Sequence, residues 1–255
     1  MGDNAVFLYM FTTLRSWSAW APSVETRAVW QAWATNPVNL PEQGVPALPG
    51  IPSIRRRRLS NLSRMALKVA FDCLEGEDGA SVNSVFVSHH GEMSIMLELT
   101  DAVIVREPLS PKKFSHSVHN TTAGHFSIET ANQLPSASVC GGQASFCYGF
   151  LEALAMTHRN PENPTLLVMA DVPMPDIFAP YSRPPAFPYA FAVLLTNDSA
   201  AEGTRLQLDL APDKCGEEEL AFPQALVFLQ WLLSGETQLM LHHQQQRWTW
   251  KKSST

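Results

Sequence analysis

Residues 114–154 read Phe-Ser-His-Ser-Val-His-Asn (114–120), Ala-Gly-His-Phe-Ser-Ile (123–128), Pro-Ser-Ala-Ser-Val-Cys-Gly-Gly (135–142) and Ala-Ser-Phe-Cys-Tyr-Gly-Phe-Leu-Glu-Ala-Leu (144–154). The small residues leading to Val139 suit a strand. Phe146, Gly149, Phe150, Ala153 and Leu154 then recur at three- and four-residue spacing, as on the buried face of a helix. Cys140, Gly141 and Gly142 must turn the chain sharply between the two. A turn of this kind can hold a side chain above a helix N-terminus, where unpaired N–H groups favour an anion or a thiolate. Two glycines also serve close strand-to-helix packing or a positive φ, and spacing alone favours that second reading.

Outside this stretch the chain reads as one domain, residues 1–255. At 255 residues and 45% apolar it can bury a substantial core. A net charge of −6 argues against nucleic acid as the main partner, because phosphate binding needs a concentrated basic surface. Cys73, Cys140, Cys147 and Cys215 show neither the paired spacing of a zinc site nor a disulfide framework, which points to reduced thiols in the cytoplasm. No apolar run reaches membrane-spanning length, so direct membrane insertion is not expected.

Residues 5–8 open a strand, and 23–34 a helix capped by Ser23, with Trp17, Trp20, Trp30 and Trp33 packed in a core or against a partner. Five prolines make 35–53 a surface loop. Arg55, Arg56, Arg57 and Arg58 open a helix carrying Leu59, Leu62, Ala66, Val69 and Cys73 on one face. Ser84–Ser88 reads as a buried strand whose C-terminal end carries His89 and His90; a polar turn starting a helix suits these better than a metal. His116, His119 and His125 form a histidine cluster with no carboxylate or cysteine beside it in sequence to complete a metal site, and none is expected. Residues 165–171 and 189–196 are buried strands, and 205–210 alternates as if to pair with the latter in a hairpin. A helix over 222–233 and a strand pair at 238–243 and 247–250 complete the chain.

The ordered set Asn120, Ala123-Gly124-His125, Ser127-Ile128, Pro135-Ser136, a small-residue strand and a helix carrying Gly149 resembles the middle of a beta-ketoacyl synthase. The likeness covers about residues 50–210 and is most specific at 108–156. It implies an α/β chain: half of a thiolase-like fold, with a mixed central sheet and helices on both faces. It also tips residues 101–105 towards helix. Ketosynthases place an acylated cysteine eight residues before the helix glycine, which here is Gly141, with Cys140 one place early. The nucleophile is therefore read as lost, the alternative being a slipped register with Cys140 active. The two histidines that assist a ketosynthase cysteine come from the C-terminal half of that fold, for which too few residues follow the turn.

The nearest subfamily by resemblance is the short ketosynthase-like proteins of aryl polyene pigment clusters, which resemble chain length factors. This implies a non-catalytic subunit in an obligate heterodimer or heterotetramer with a full-length ketosynthase, shaping its acyl tunnel. Phe114, His116, Ser117, His119 and Asn120 fall in the segment that meets the partner at the tunnel. No cofactor is implied, since the acyl chain arrives on the phosphopantetheine of an acyl carrier protein; Arg55–Arg58 are candidates to dock that acidic protein. The alternative is a small acyl-thioester transferase using Cys140.

Overall fold

The computed structural model describes residues 8–178, 180, 186–213, 219–243 and 245–253. Eight strands form one sheet: β1 (Leu8–Trp20), β2 (Asn83–Val87), β3 (Ser136–Val139), β4 (Thr165–Asp171), β5 (Tyr189–Thr196), β6 (Thr204–Pro212), β7 (Gln238–His243) and β8 (Gln246–Ser253). The helices are α1 (Arg27–Thr35), α2 (Ser53–Arg56), α3 (Asn61–Cys73), α4 (Met93–Ile104), α5 (Pro111–His116), α6 (Thr121–Thr130), α7 (Ser145–Arg159) and α8 (Gln224–Leu233). Strand order is β3-β2-β4-β5-β1-β6-β8-β7, with β3, β2 and β4 parallel and every other pairing antiparallel. The sheet is mixed, as the resemblance implies.

Successive residues of a strand point to opposite faces, and the core divides accordingly. Phe86, Leu166, Val168, Ala190, Ala192 and Leu194 meet α3 and Phe126 of α6 on one face. Val85, Val87, Leu167, Met169, Phe191 and Val193 meet α7, α8 and the Trp30 and Trp33 side chains of α1 on the other. Phe146, Phe150, Phe228 and Trp250 form the centre of that second layer, with ring centroids 5.2–6.3 Å apart. Each such buried ring contributes about 1.5–3 kcal/mol through burial alone.

Four expectations need correction. Residues 205–210 do not pair with β5, because β1 lies between β5 and β6 and bonds to both. Ser23 does not cap α1. It sits at φ 66 in a tight turn where Ala21 and Val24 exchange backbone hydrogen bonds, and the Thr26 hydroxyl accepts from the Val29 N–H instead. The arginine run does not open the long helix. It ends the one-turn α2, and Ser60 caps α3 by accepting from Ser63 N–H. The proline-rich loop is anchored by Leu40, Leu48 and Ile51, all buried. The strand expected from residue 5 is described from Leu8 onwards, and 5–7, like Cys215, lie outside the described residues. Residues 101–104 are helical, and the C-terminal hairpin and α8 form where expected.

Candidate functional site

β3 delivers the chain to the glycine turn from the edge of the sheet, and Ser145 ties the turn closed: its hydroxyl accepts from Gly141 N–H at 3.0 Å and donates to the Gly142 carbonyl at 2.7 Å. Gly142 has φ +59, the left-handed region that glycine occupies without a side-chain penalty. A Cβ on Gly141 would lie 2.6 Å from Cδ2 of Tyr148, so the turn is pressed against α7 at this position. Cys140 is exposed, and its thiol donates to the His89 carbonyl at 3.1 Å.

Beside the turn, at the C-terminal ends of β2 and β4, lies a cleft of about 490 Å³ whose walls include His89, Gly142, Ser145, Phe146, Asp171 and Tyr189. Cys140 is not among its lining residues. Asp171 is buried and accepts from Ser88 Oγ (2.9 Å), His89 N–H (2.7 Å) and Tyr189 Oη (3.2 Å). Burial outweighs these three donors and raises its carboxyl to about 7. His89 is pulled down to about 4, first by burial and then by His90 and His243, so its ring is neutral at pH 7. His89 and His90 stack with centroids 4.0 Å apart. Sequence reasoning missed Asp171 and Tyr189. The available signal was a lone carboxylate closing a seven-residue apolar strand.

The three histidines of the 114–128 stretch do not converge. His119 Nε2 lies 3.1 Å from the Ser88 carbonyl, whereas His116 and His125 pair with each other. No group of three or more His, Cys, Asp or Glu able to hold a metal exists among the described residues. Asn120 precedes α6 without a side-chain cap, and Ser117 Oγ turns back to the Phe114 carbonyl at 2.8 Å. Phe114 stands on α5 with 63% of its surface exposed. Of the arginines, Arg55 pairs with Glu129 at 3.0 Å and Arg56 donates to the Leu48 carbonyl, while Arg57 and Arg58 are exposed. No helix among the described residues is long and apolar enough to cross a membrane.

α4 departs from ordinary burial. Its sequence is strongly apolar, yet only Leu99 is buried. Met96, Val103, Ile104, Val105 and Leu109 are exposed, and α5 and its C-terminal turn add Phe114 and Val118. Exposed apolar side chains concentrated on two neighbouring helices are the kind of surface that marks interaction sites.

The beta-ketoacyl synthase N-terminal domain family matches residues 30–251. No curated protein sequence matches the chain. Among solved structures, the chain is similar to a chain of the ketosynthase (ApeO) complex with its chain length factor (ApeC) from Xenorhabdus doucetiae: TM-score 0.82 and 27% identity, over 95% of this chain and 99% of that one. It also resembles the ishigamide ketosynthase/chain length factor (TM-score 0.62, 16% identity, 80% and 68% covered). A beta-ketoacyl synthase from Burkholderia phymatum matches at TM-score 0.61 and 12% identity, over 82% and 66% of the two chains. The last two show the fold alone, the thiolase-like α/β arrangement.

Proposed function

The chain belongs to the beta-ketoacyl synthase N-terminal domain family, and on that footing we propose that it is a chain length factor-like subunit that pairs with a full-length ketosynthase. The observation that carries this reading is the bare apolar surface of α4 and α5, which a soluble chain covers only by association. The similarity to a chain of nearly equal length in a ketosynthase–chain length factor complex supports it. In this reading the subunit performs no chemistry. It stabilises the catalytic partner and shapes its acyl tunnel, with Phe114 reaching across the interface. His116, Ser117, His119 and Asn120 belong to the same tunnel-facing segment. The acyl chain comes on the phosphopantetheine of an acyl carrier protein, with exposed Arg57 and Arg58 as the docking charges, and the product is of the aryl polyene or a related polyketide class.

Acyl transfer by Cys140 draws no support from the geometry, because the thiol bonds to a carbonyl and does not line the cleft. The deciding experiment is light scattering of this chain expressed alone and together with the ketosynthase encoded beside it. A one-to-one complex, or a symmetric multiple of it, is expected; a stable monomer indifferent to the ketosynthase overturns the proposal.

A further inference from the structure

At the junction of α5 and α6 two imidazoles face each other: His125 Nε2 lies 3.4 Å from His116 Nδ1, the rings are 27° from parallel, and their centroids are 5.2 Å apart. α5 is short and solvent-exposed, with no fully buried residue of its own. Among the described contacts, it is held by the Lys113–Glu98 ion pair to α4, the Thr121 hydroxyl bonded to the Ser115 carbonyl, and the histidine pair. A hydrogen bond between two imidazoles needs at least one of them neutral, because two imidazolium rings both donate and repel. We propose that His116 and His125 form a proton-sensitive clasp that holds the Phe114-bearing helix α5 against α6 when an imidazole is neutral and releases it when both are protonated.

The charges around the pair favour the neutral form. Lys112 stands beside His116, and His116 itself acts on His125; burial is the larger cause for both, and each is held below the ordinary histidine value. Of the other charged groups on the packed elements, Lys113 pairs with Glu98 of α4, Glu129 with Arg55 of α2 and Lys68 with Asp72 of α3; Arg64 of α3 donates to the Arg56 carbonyl, Glu92 accepts from Ser60 and Ser63, and Asp101 of α4 is exposed. His119 is engaged with the Ser88 carbonyl. Both histidines are thus neutral at pH 7, and their protonation on acidification is resisted by the folded state. The stabilising contribution is present above the unfolded histidine value near 6.5 and is lost as pH falls through the lower folded values.

The clasp belongs to this chain alone, so its failure is separable from that of the partner reading. Amide exchange of the full chain, corrected for intrinsic rates, should show protection of 111–118 falling about tenfold between about pH 7 and about pH 4.5, the loss of roughly one hydrogen bond, while α7 stays protected. His125→Gln, which cannot charge, should abolish that pH dependence. Should the whole chain loosen in acid, histidine NMR above pH 5 decides: in His116→Gln the His125 midpoint should rise, because its charged neighbour is gone. A His125 midpoint indifferent to His116, or a pH dependence intact in His125→Gln, overturns the clasp.

Discussion

Gly149 of α7 packs so tightly on Val87 of β2 that a Cβ added to the glycine would lie 2.3 Å from Val87 Cγ2. Gly149 lies within α7 and Val87 closes β2, and both are buried in the core between helix and sheet. Gly149→Ala gains about 1 kcal/mol of helix propensity but overpacks a core contact, which costs about 1–3 kcal/mol. The clash wins. Urea denaturation should show a net loss of up to about 2 kcal/mol, with the Gly149→Ala/Val87→Ala double variant less destabilised than the sum of its two single variants, and a stabilised single variant would refute the close approach.

The Asp171 carboxyl makes stability depend on pH with a definite sign. Its ordinary value of 3.8 is raised to about 7 by burial, so the folded state keeps a proton that the unfolded state gives up. Its contribution is full below about 4 and is lost as pH rises through about 7. Asp171→Asn, which keeps the shape and lets Tyr189 turn from donor to acceptor, should flatten that decline. Denaturation midpoints of both proteins at about pH 5 and about pH 8 measure it; parallel slopes would contradict the assignment.

Cys140→Ala should leave product formation by the reconstituted ketosynthase pair unchanged, since the thiol touches only the His89 carbonyl among the contacts described. Product loss with an intact complex would assign chemistry to this chain.

Ile104, 71% exposed on α4, is expected to matter to association and not to folding. Ile104→Asp should change unfolding free energy by no more than about 0.5 kcal/mol while weakening the ketosynthase complex by about 1–2 kcal/mol, as a charge enters an apolar contact. Sedimentation against the partner reads the second effect and thermal melting the first. A variant that melts early but binds normally would place α4 in the core.

Phe114→Ala should leave the melting temperature of the chain alone unchanged, as the ring is exposed. Its effect belongs in the products: with the side chain removed, the reconstituted pair should release a shifted range of acyl lengths, read by mass spectrometry. An unchanged length distribution would remove Phe114 from the tunnel.

What the sequence disclosed was local. The 3.6-residue spacing along Leu62, Ala66, Val69 and Cys73, the apolar runs at 165–171 and 189–196, and the glycine turn all declare themselves through neighbours in the chain. Pairing partners do not. Residues 205–210 alternate as any two-sided strand does, and nothing in that pattern says that β1, almost two hundred residues earlier, bonds between them and β5. The Asp171 cluster was hidden for the same reason: Ser88, His89 and Tyr189 come from two other segments, and only the sheet brings them to one carboxylate. Ser23 was misleading because its residue type fits a cap, whereas the Ala21–Val24 turn takes up the chain first.

The position of β1 has a consequence for the order in which the molecule can be made. Leu14 finds its partners in Leu195 and Thr204, so a growing polypeptide carries its first strand unpaired until most of the chain has been synthesised. The parallel trio β3-β2-β4, built from residues 83–171, can assemble earlier, but it ends on an open β4 edge until β5 arrives. Pairings this distant slow folding and leave edges available to other chains in the meantime. Of the described strands, β1 is thus the one that waits longest for its partners as the chain is made.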